Sequence, residues 1–228
     1  ILSTSFNNIQ RKTFMVDMQS KFNINNLSET TYLRAFTLLI HNLLPKIDLK
    51  QALFISLFSQ EWLTKQETSV INVTTTNYYK SLAKPYLPAY RPFTSITEFR
   101  LIKGITAKIF NKLLPYITAL PEKTAVNLNT ASLQVLRTLG PGLTAKQAND
   151  IIKERGKKGF KSLIDTLAKP WIKNINLIAK QLTLTSDYFL ISSQVSNNDT
   201  QMVLFTIVKR TIKKHKITVK IIQQTINT

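Results

Sequence analysis

Apolar positions along the chain change their spacing twice, from strand-like to helical and back. The segment TFMVDMQSKFNINNL, from Thr13 to Leu27, starts with an alternation that places Phe14, Val16 and Met18 on one side. A period of two predicts a half-buried strand. The segment ends in FNINN, whose asparagine side chains suit a turn because they bond nearby backbone groups.

A helical period follows, from Ser28 to about Gln66. Apolar residues recur there every three or four positions, which is typical of a helix that packs on one side. Pro45 ends the first predicted helix, and Asp48 is the predicted N-cap of the second. The next stretch, residues 68–93, is rich in Thr, Asn and Pro without a long apolar period, and is predicted to be a loop.

Short helices are predicted in the middle of the chain. Ser95 and Glu98 fit the S-x-x-E pattern of a capping box, in which each side chain bonds the backbone amide of the other residue. Gly104 separates this helix from one over residues 106–114. The remaining predicted helices cover residues 131–139, 145–154, 163–167 and 171–181.

After Leu182 the pattern returns to strands, in the segments DYFLISSQVS, TQMVLFTIVKR and HKITVKIIQQT. A lone strand is not stable by itself, so the simplest arrangement pairs the N-terminal strand with these three. The sequence therefore predicts an α+β fold. Residues 1–27 plus 184–228 form an antiparallel β-sheet domain, and residues 28–183 form an α-helical domain inserted into it.

Two short segments echo each other. FNINN, Phe22 to Asn26, and VNLNT, Val126 to Thr130, both read apolar-Asn-apolar-Asn-polar. Each closes an extended segment and precedes a helix, so each asparagine pair is predicted to cap a switch from strand to helix through backbone hydrogen bonds. Two such switches suggest a matched entry into the helical domain and return from it.

Composition allows a packed core and favours an acidic partner. The 228 residues are 43% hydrophobic and carry a net charge of +19, and residues 91–183 alone hold 16 basic and 5 acidic residues. A positive middle segment suits nucleic acid, an anionic membrane surface or an acidic protein. The alternative is a lysine-rich proteome that makes every surface basic. No apolar run reaches the length of about 18 residues that indicates a membrane helix.

Sequence patterns of catalysis and of cofactor binding are absent. The chain has no cysteine, which excludes disulfides, cysteine zinc sites and a thiol nucleophile. Neither His41 nor His215 has an acid at metal-ligand spacing, and no H-E-x-x-H, G-x-S-x-G or phosphate-loop pattern occurs. The sequence therefore predicts a protein that is not an enzyme and has no cofactor.

The stretch VNLNTASLQVLRTLGPGLTAKQANDIIKERGKKGF resembles a helix-hairpin-helix, which grips a DNA phosphate with backbone amides of a glycine turn. Here Thr144 replaces the second glycine of the turn and forms a capping box with Gln147, which favours a self-capped structural hairpin. A helix-hairpin-helix DNA-binding protein of the competence-receptor type is the alternative function. Its anion-binding face would comprise Gly142, Thr144, Lys146, Lys153, Arg155, Lys157, Lys158 and Lys161.

Five segments, taken in order, resemble one family. They are KFNINNL (Lys21–Leu27), YRPFTSITEFRLIKGI (Tyr90–Ile105), LLPYITALP (Leu113–Pro121), VNLNTA (Val126–Ala131) and SDYFLISSQV (Ser186–Val195). In this order they are similar to the K-type minor pseudopilins of type II secretion systems, over about residues 16–210. The motif residues, interpreted as structural, are Phe22, Asn23, Asn25, Asn26, Arg91, Pro92, Ser95, Glu98, Gly104, Pro115, Pro121, Asn127, Asn129 and Thr130.

The resemblance implies a pilin-like sheet with a large inserted helical domain. It also implies a hydrophobic helix before Ile1 that anchors the protein in the inner membrane of a Gram-negative bacterium, with the present chain in the periplasm. Such a protein is a non-enzymatic component of the pseudopilus tip, where it initiates assembly with I- and J-type minor pseudopilins and supports export across the outer membrane. The secretin and the exported cargo are further candidate partners, whereas nucleic acid is not expected.

One departure from the family concerns calcium. Members often carry an acidic calcium-binding loop after the second helix, and the matching region here is FSQEWLTKQETSVINVTTTNYY, Phe58 to Tyr79. It keeps only Glu61 and Glu67 as remnants of that site. Calcium takes six to eight oxygen ligands, several of them carboxylate. The calcium site is therefore expected to be lost or much weakened, and no metal is predicted.

Overall fold

The computed structural model describes residues 2–6, 9–64, 76–197, 200–213 and 216–227. Contacts divide the chain into two units, one of residues 1–19 and 185–228 and the other of residues 20–184. The strands, in chain order, are β1 Leu2–Phe6, β2 Ile9–Asp17, β3 Phe22–Asn23, β4 Ile117–Thr118, β5 Val126–Asn127, β6 Leu182–Thr183, β7 Tyr188–Ser196, β8 Gln201–Lys213 and β9 Lys216–Asn227.

The helices, in the same order, are α1 Leu33–Leu43, α2 Leu49–Leu63, α3 Ala107–Leu113, α4 Leu133–Leu136, α5 Ala145–Arg155, α6 Leu163–Ala168 and α7 Pro170–Lys173. Residues 76–80 are also helical. Tighter 3-10 turns occur at Met18–Ser20, Ile24–Ser28, Thr30–Tyr32, Ile96–Leu101, Leu114–Tyr116 and Ala179–Gln181.

The first unit, called the sheet unit, is a five-stranded antiparallel sheet in the order β1-β2-β7-β8-β9. The register places Asp17 of β2 opposite Phe189 of β7, and a bulge interrupts the pairing of β8 with β9 at Ile207/Val208. This confirms the predicted α+β fold with an antiparallel sheet. The strand β1 was missed, because LSTSF is too short and too polar to show a period of its own.

The second unit, called the helical unit, contains two hydrophobic cores. The first core is built around Phe36, Leu39 and Ile40 of α1 and gathers buried side chains between Phe22 and Ile117. The second core gathers buried side chains between Val126 and Leu182. Each half is closed by a two-stranded parallel pairing, β3 with β4 and β5 with β6.

Local signals explain where the main helices begin. The side chain of Asp48 accepts a hydrogen bond from the amide of Gln51 at 2.7 Å, as an N-cap does, and α2 starts one residue later. At Thr144 the predicted capping box with Gln147 is present, and α5 follows directly. Both features were predicted correctly because their partners lie within three residues.

Other local predictions agree only in part with the structure. The predicted helix after Ser95 is present as the 3-10 helix Ile96–Leu101, whereas α4 is shorter than the predicted residues 131–139. The helix predicted over residues 171–181 ends at Lys173, since Asn176 takes a left-handed backbone conformation with φ of 52°. Residues 76–80 are helical although a loop was predicted there.

The boundary between the units also differs from the prediction. It lies between residues 19 and 20, not between 27 and 28. Phe22, Ile24 and Leu27 are almost completely buried in the first core of the helical unit. The strand β3 pairs with β4 inside the same unit. The FNINN segment is therefore a part of the helical unit. Among the helices that the structure describes, none is long and apolar enough to cross a membrane.

Candidate functional site

The segment FNINN, the first of the two strand-to-helix switches, connects the start of the helical unit to the end of its first half through asparagine side chains. Asn25 is 4% exposed, and its Oδ1 accepts from the Phe93 amide at 2.8 Å. Its Nδ2 donates to the carbonyls of Phe93 at 3.0 Å and Leu120 at 2.8 Å. Because all three partners are distant in sequence, this one amide joins three separate segments.

Asn23 and Asn26 complete the first switch. Asn23 Oδ1 accepts from the amides of Asn25 and Leu120, and its Nδ2 donates to the Glu122 carbonyl at 2.8 Å. Asn26 bonds both the amide and the carbonyl of Thr124. The predicted role of the asparagines as caps therefore holds locally for Asn23, while most of their bonds reach residues 93–124.

The second switch repeats this arrangement. Asn127 Oδ1 accepts from the Asn129 amide at 2.9 Å. Asn129 Oδ1 accepts from the Phe160 amide at 2.7 Å, and its Nδ2 donates to the carbonyls of Phe160 at 3.0 Å and Leu184 at 3.1 Å. Thr130 is exposed, and its amide donates to the Asn127 carbonyl.

The two halves of the helical unit correspond beyond the asparagines. Leu27 and Ala131 hold the same place in FNINNLS and VNLNTAS, and both carbonyls accept from a side chain of the second long helix of their half. Gln60 of α2 donates to Leu27 at 2.9 Å, and Arg155 of α5 donates to Ala131 at 2.8 Å. The echo seen in the sequence is therefore a structural duplication.

Sequence reasoning missed Phe93 and Phe160, which present the backbone groups that the two asparagines hold. A signal existed in the sequence, since PFTSIT and GFKSLI share a phenylalanine followed two residues later by serine. Ser95 and Ser162 both cap the turn of helix that follows. A search for paired motifs, extended from the asparagines to these segments, would have found the second pair.

Arg91, Pro92, Ser95 and Glu98 form a surface cluster around the first of these caps. Glu98 Oε1 accepts from the amides of Thr94 and Ser95 and from the Thr94 hydroxyl, and Glu98 Oε2 lies 3.2 Å from Arg91 Nη1. Arg91 also donates to the Pro92 carbonyl. Burial by itself would raise the pKa of Glu98, but the hydrogen bonds and Arg91 outweigh it and leave the pKa below its ordinary value.

The remaining motif residues shape turns of the first half. Gly104 has φ of +88° and lies against Ile55 of α2. Pro115 lies in the 3-10 turn Leu114–Tyr116 after α3. Pro121 is exposed and follows Leu120, whose carbonyl Asn25 holds. The prediction that all three are structural residues is kept.

The turn of the hairpin has no amide left for a phosphate among its central residues. Gly142 N–H donates to the Leu139 carbonyl at 3.0 Å, and Leu143 N–H donates to the Arg137 carbonyl at 2.9 Å. Thr144 N–H donates to Gln147 Oε1 at 2.9 Å. Because a phosphate needs free amides, this geometry opposes the DNA-binding alternative.

The same turn is packed against α1. Arg34 Nη2 donates to the Pro141 carbonyl at 2.7 Å. Gly142 has φ of +96°, and a Cβ placed there would lie 2.9 Å from Leu38 Cδ1. The backbone conformation favours glycine here, whereas the contact with Leu38 could be relieved by movement of that side chain. The hairpin turn, which belongs to the second half of the helical unit, therefore packs against α1 of the first half.

The basic residues of the hairpin do not all belong to its surface. Arg155 Nη1 donates to the carbonyls of Leu128 at 2.7 Å and Ala131 at 2.8 Å, and burial lowers the pKa of its guanidinium. Arg155 is thus a structural residue. The exposed members of the predicted face are Lys146, Lys153, Lys157, Lys158 and Lys161.

Metal ligands are sparse in the described part of the chain. No group of three or more His, Cys, Asp or Glu residues lies close enough there to hold a metal ion. Glu61 is 2% exposed within α2, and Glu67 lies in residues 65–75, outside the described residues. His41 Nδ1 lies 3.0 Å from the Ile47 carbonyl. Most of the region that matches the calcium loop lies outside the described residues, so the loss of the calcium site stays a prediction.

Comparison with known proteins gives the family. Two family models for type II secretion system protein K match residues 20–122 and 126–185, one for each half of the helical unit. The protein K of Pseudomonas aeruginosa is 32% identical over 142 residues, which cover 59% of this chain and 40% of the relative. The protein K of Klebsiella pneumoniae is 26% identical over 197 residues, which cover 79% and 60%.

The chain thus spans about half the length of these curated relatives. A chain in the crystal structure of the GspK-GspI-GspJ complex from the enterotoxigenic Escherichia coli type 2 secretion system has the same fold, with a TM-score of 0.83 and 20% identity. The match covers 100% of this chain and 83% of that one. With its duplicated helical unit matched half by half, the chain belongs to the type II secretion system protein K family.

Proposed function

We propose that this chain is the periplasmic part of a minor pseudopilin, with a structural rather than a catalytic role at the tip of the type II secretion pseudopilus. The observation that carries the proposal is the insertion of a duplicated helical unit between β2 and β7 of an antiparallel sheet, with a protein K family match on each half. The sheet is the pilin-like part, and the helical unit is the addition that distinguishes this type.

The partners in this proposal are the I- and J-type minor pseudopilins. The structural relative comes from a complex whose title names GspK, GspI and GspJ, and its fold covers the whole of this chain. A pilin-like sheet that joins such a complex would help to start assembly of the pseudopilus and so support export across the outer membrane. The secretin and the exported cargo are further candidate partners of the helical unit.

The location in this proposal is the periplasmic face of the inner membrane of a Gram-negative bacterium. The relatives are named as secretion system components, and they are longer than this chain. The proposal includes anchoring in the inner membrane, as the resemblance to the K-type minor pseudopilins implies.

Co-purification tests the proposal directly. The chain would be co-expressed with the I- and J-type pseudopilins of its own system and purified through a tag on one partner. We expect a stoichiometric complex, together with restored secretion when the full-length gene complements its deletion. If the chain remains monomeric with both partners present, or if secretion is normal without the gene, the proposal is wrong.

A further inference from the structure

A large apolar cleft opens on the first half of the helical unit. It has a volume of about 710 Å³. Its lining residues are Ile47, Gln51, Phe54, Ile55, Phe58, Tyr78, Lys103, Gly104 and Ile109. The rings of Phe54 and Phe58 stack along one wall, with centroids 6.3 Å apart. Among these described residues, Lys103 supplies the one ammonium group, and none supplies a carboxylate.

The cleft continues onto the outer face of α2. Leu49, Leu53 and Phe54 are between 42% and 53% exposed, although they lie on a helix whose opposite face is packed in the core. A helix that covers a core on one side usually presents polar residues on the other. Packing against the residues that the structure describes therefore does not explain the apolar outer face of α2.

The outer face of α5 in the second half corresponds to the outer face of α2, but it is polar. Aligning the N-cap of α2 with that of α5 places Phe54 at the position of Asp150 and Phe58 at that of Glu154. A smaller cleft occurs there, lined by Asp150, Lys153, Glu154 and Trp171. Carboxylates occupy both positions in the second half, whereas in the first half Phe58 packs partly against the first core and Phe54 is 44% exposed. Phe54 is therefore the residue that folding of the first half needs less.

A lysine contacts the wall of each cleft, Lys103 in the first half and Lys169 in the second, and the two lysines differ in their partners. In the second half, Lys169 forms an ion pair with Glu154. In the first half, Phe58 occupies the position of that glutamate. The ammonium of Lys103 lies 5.0 Å from the ring centroid of Phe58 and 4.4 Å from the ring centroid of Tyr78. Among the described residues, Lys103 has no carboxylate within ion-pair distance. Cation–π contacts orient the ammonium and leave it able to accept an anionic partner.

We propose that this cleft binds a segment of a partner protein that carries apolar side chains beside carboxylates. The apolar side chains would fill the space between Phe54, Phe58 and Ile109, and a carboxylate would take the place on Lys103 that Glu154 holds on Lys169. This binding goes beyond the proposed assembly with other pseudopilins and does not depend on it.

The shape favours a protein segment over a small amphiphile. The apolar surface runs outside the cleft along α2 from Phe54 back to Leu49, further than a compact ligand would cover. An amphipathic helix placed in a groove makes this kind of extended contact through anchors three and four residues apart. The complementary charge comes from Lys103 and from the basic character of the whole chain, which carries +19.

Selection from a displayed library of random peptides tests the proposal, with the whole chain as bait. Peptides of about 15 residues are long enough for about four helical turns. We expect enriched peptides to combine Leu, Phe or Trp with Asp or Glu. Each enriched peptide would then be titrated against the wild-type chain and against the variants Lys103→Ala, Phe54→Asp and Lys169→Ala.

We expect Lys103→Ala and Phe54→Asp each to weaken binding by at least about tenfold, which corresponds to about 1.4 kcal/mol. Lys169→Ala, which removes the ammonium paired with Glu154 at the second cleft, should leave affinity unchanged. Thermal unfolding of each variant checks that it folds, and Phe54→Asp is expected to fold because its counterpart is Asp150. A peptide in which lysines replace the acids should lose binding to the wild-type chain.

Four results would overturn the proposal. The first is no enrichment over a Phe54→Asp bait, and the second is enrichment of peptides without acids. The third is self-association of the chain that Phe54→Asp abolishes, which would assign the cleft to a second copy. The fourth is binding of anionic lipid vesicles that needs Phe54, which would assign it to a membrane. If the peptide experiment gives one of these results but the chain still co-purifies with I- and J-type pseudopilins, only the cleft proposal is wrong and the proposed function stands.

Discussion

The side chains of Asn25 and Asn129 make the same set of bonds in the two halves of the helical unit. Each Oδ1 accepts from the amide of a phenylalanine, Phe93 or Phe160, and each Nδ2 donates to that residue's carbonyl. Each Nδ2 also reaches a carbonyl at the end of its half. A primary amide supplies this combination of acceptor and donors, which neither a carboxylate nor an aliphatic side chain provides.

Replacing Asn25 by alanine should therefore destabilise the protein strongly. The change leaves the Phe93 amide and the carbonyls of Phe93 and Leu120 without their partner in a buried place. We expect the free energy of unfolding to fall by about 3 kcal/mol or more, since unsatisfied buried polar groups cost about 1–3 kcal/mol each. Urea denaturation followed by circular dichroism measures this.

The control for this change is Asn149→Ala, because Asn149 is exposed on α5. It should alter the free energy of unfolding by no more than about 0.5 kcal/mol. Asn129→Ala should resemble Asn25→Ala in direction. A loss at Asn25 no larger than the one at Asn149 would show that the amide does not hold the three segments together.

A second prediction separates Arg155 from the lysines near it. Arg155→Ala removes the donor to the carbonyls of Leu128 and Ala131 and should cost about 2 kcal/mol of stability. Lys157→Ala and Lys158→Ala should each change stability by less than about 0.5 kcal/mol, because both are exposed. Thermal and urea unfolding of the three variants checks this, and equal effects would contradict the structural role of Arg155.

The capping boxes and Arg155 show which features a sequence can reveal. Ser95 with Glu98 and Thr144 with Gln147 were predicted because a cap is decided within one turn of helix. Arg155 was grouped with an anion-binding face because its neighbours in sequence are basic. Its real partners, Leu128 and Ala131, lie in another segment, and nothing local to Arg155 indicates them.

The domain boundary was misplaced for a related reason. Period-two alternation before FNINN indicates a strand, but it does not show which sheet the strand joins. Alternation continues through β2 into a turn, and the short strand β3 then pairs with β4, which lies far along the chain. The duplication, by contrast, was visible as the echo of FNINN in VNLNT, because both copies use the same residue types for the same bonds.

Glu98 gives a prediction on pH. The pKa of Glu98 lies below its ordinary value, where hydrogen bonds and Arg91 outweigh burial. A carboxyl with a lowered folded pKa contributes stability above its unfolded value of about 4.3, and this contribution is lost as pH falls through the lower folded value. A glutamine can still accept at this position, as Gln147 does in the other capping box, so Glu98→Gln removes mainly the charge and should reduce stability by about 0.5 kcal/mol at neutral pH. The gap between the two proteins should narrow as pH falls from neutral to below the unfolded value.

The measurement is urea unfolding of both proteins across that range of pH. Asp165→Asn is a suitable comparison, because Asp165 follows the corresponding cap, Ser162, in the second half. A difference between wild type and Glu98→Gln that stays constant with pH would show that ionisation of Glu98 does not stabilise the cap.

Calcium should have little effect on this protein. The family's calcium loop is matched here by a region that keeps only Glu61 and Glu67, and Glu61 is buried in α2. We therefore propose that the site is lost or much weakened, since calcium needs several carboxylate oxygens. Calorimetric titration should show no stoichiometric binding, and the melting temperature should be the same in calcium and in chelator. A clear isotherm that Glu67→Gln abolishes would contradict the proposal.

The boundary at residue 20 leads to a sharp prediction about truncation. Both hydrophobic cores of the helical unit consist of residues between Phe22 and Leu182. Residues 20–184 expressed alone should therefore fold cooperatively. Residues 28–183, which follow the boundary expected from the sequence, lack Phe22, Ile24 and Leu27 from the first core and the three asparagines of the first switch.

Removing three almost completely buried apolar side chains costs about 2–5 kcal/mol each, and the summed cost is comparable to the whole stability of a domain, about 5–15 kcal/mol. The shorter fragment should therefore show no cooperative thermal transition and should bind a dye that reports exposed apolar surface. Circular dichroism and dye fluorescence compare the two fragments at equal concentration. If residues 28–183 unfold as cooperatively and at the same temperature as residues 20–184, the FNINN segment is dispensable and the boundary belongs after Leu27.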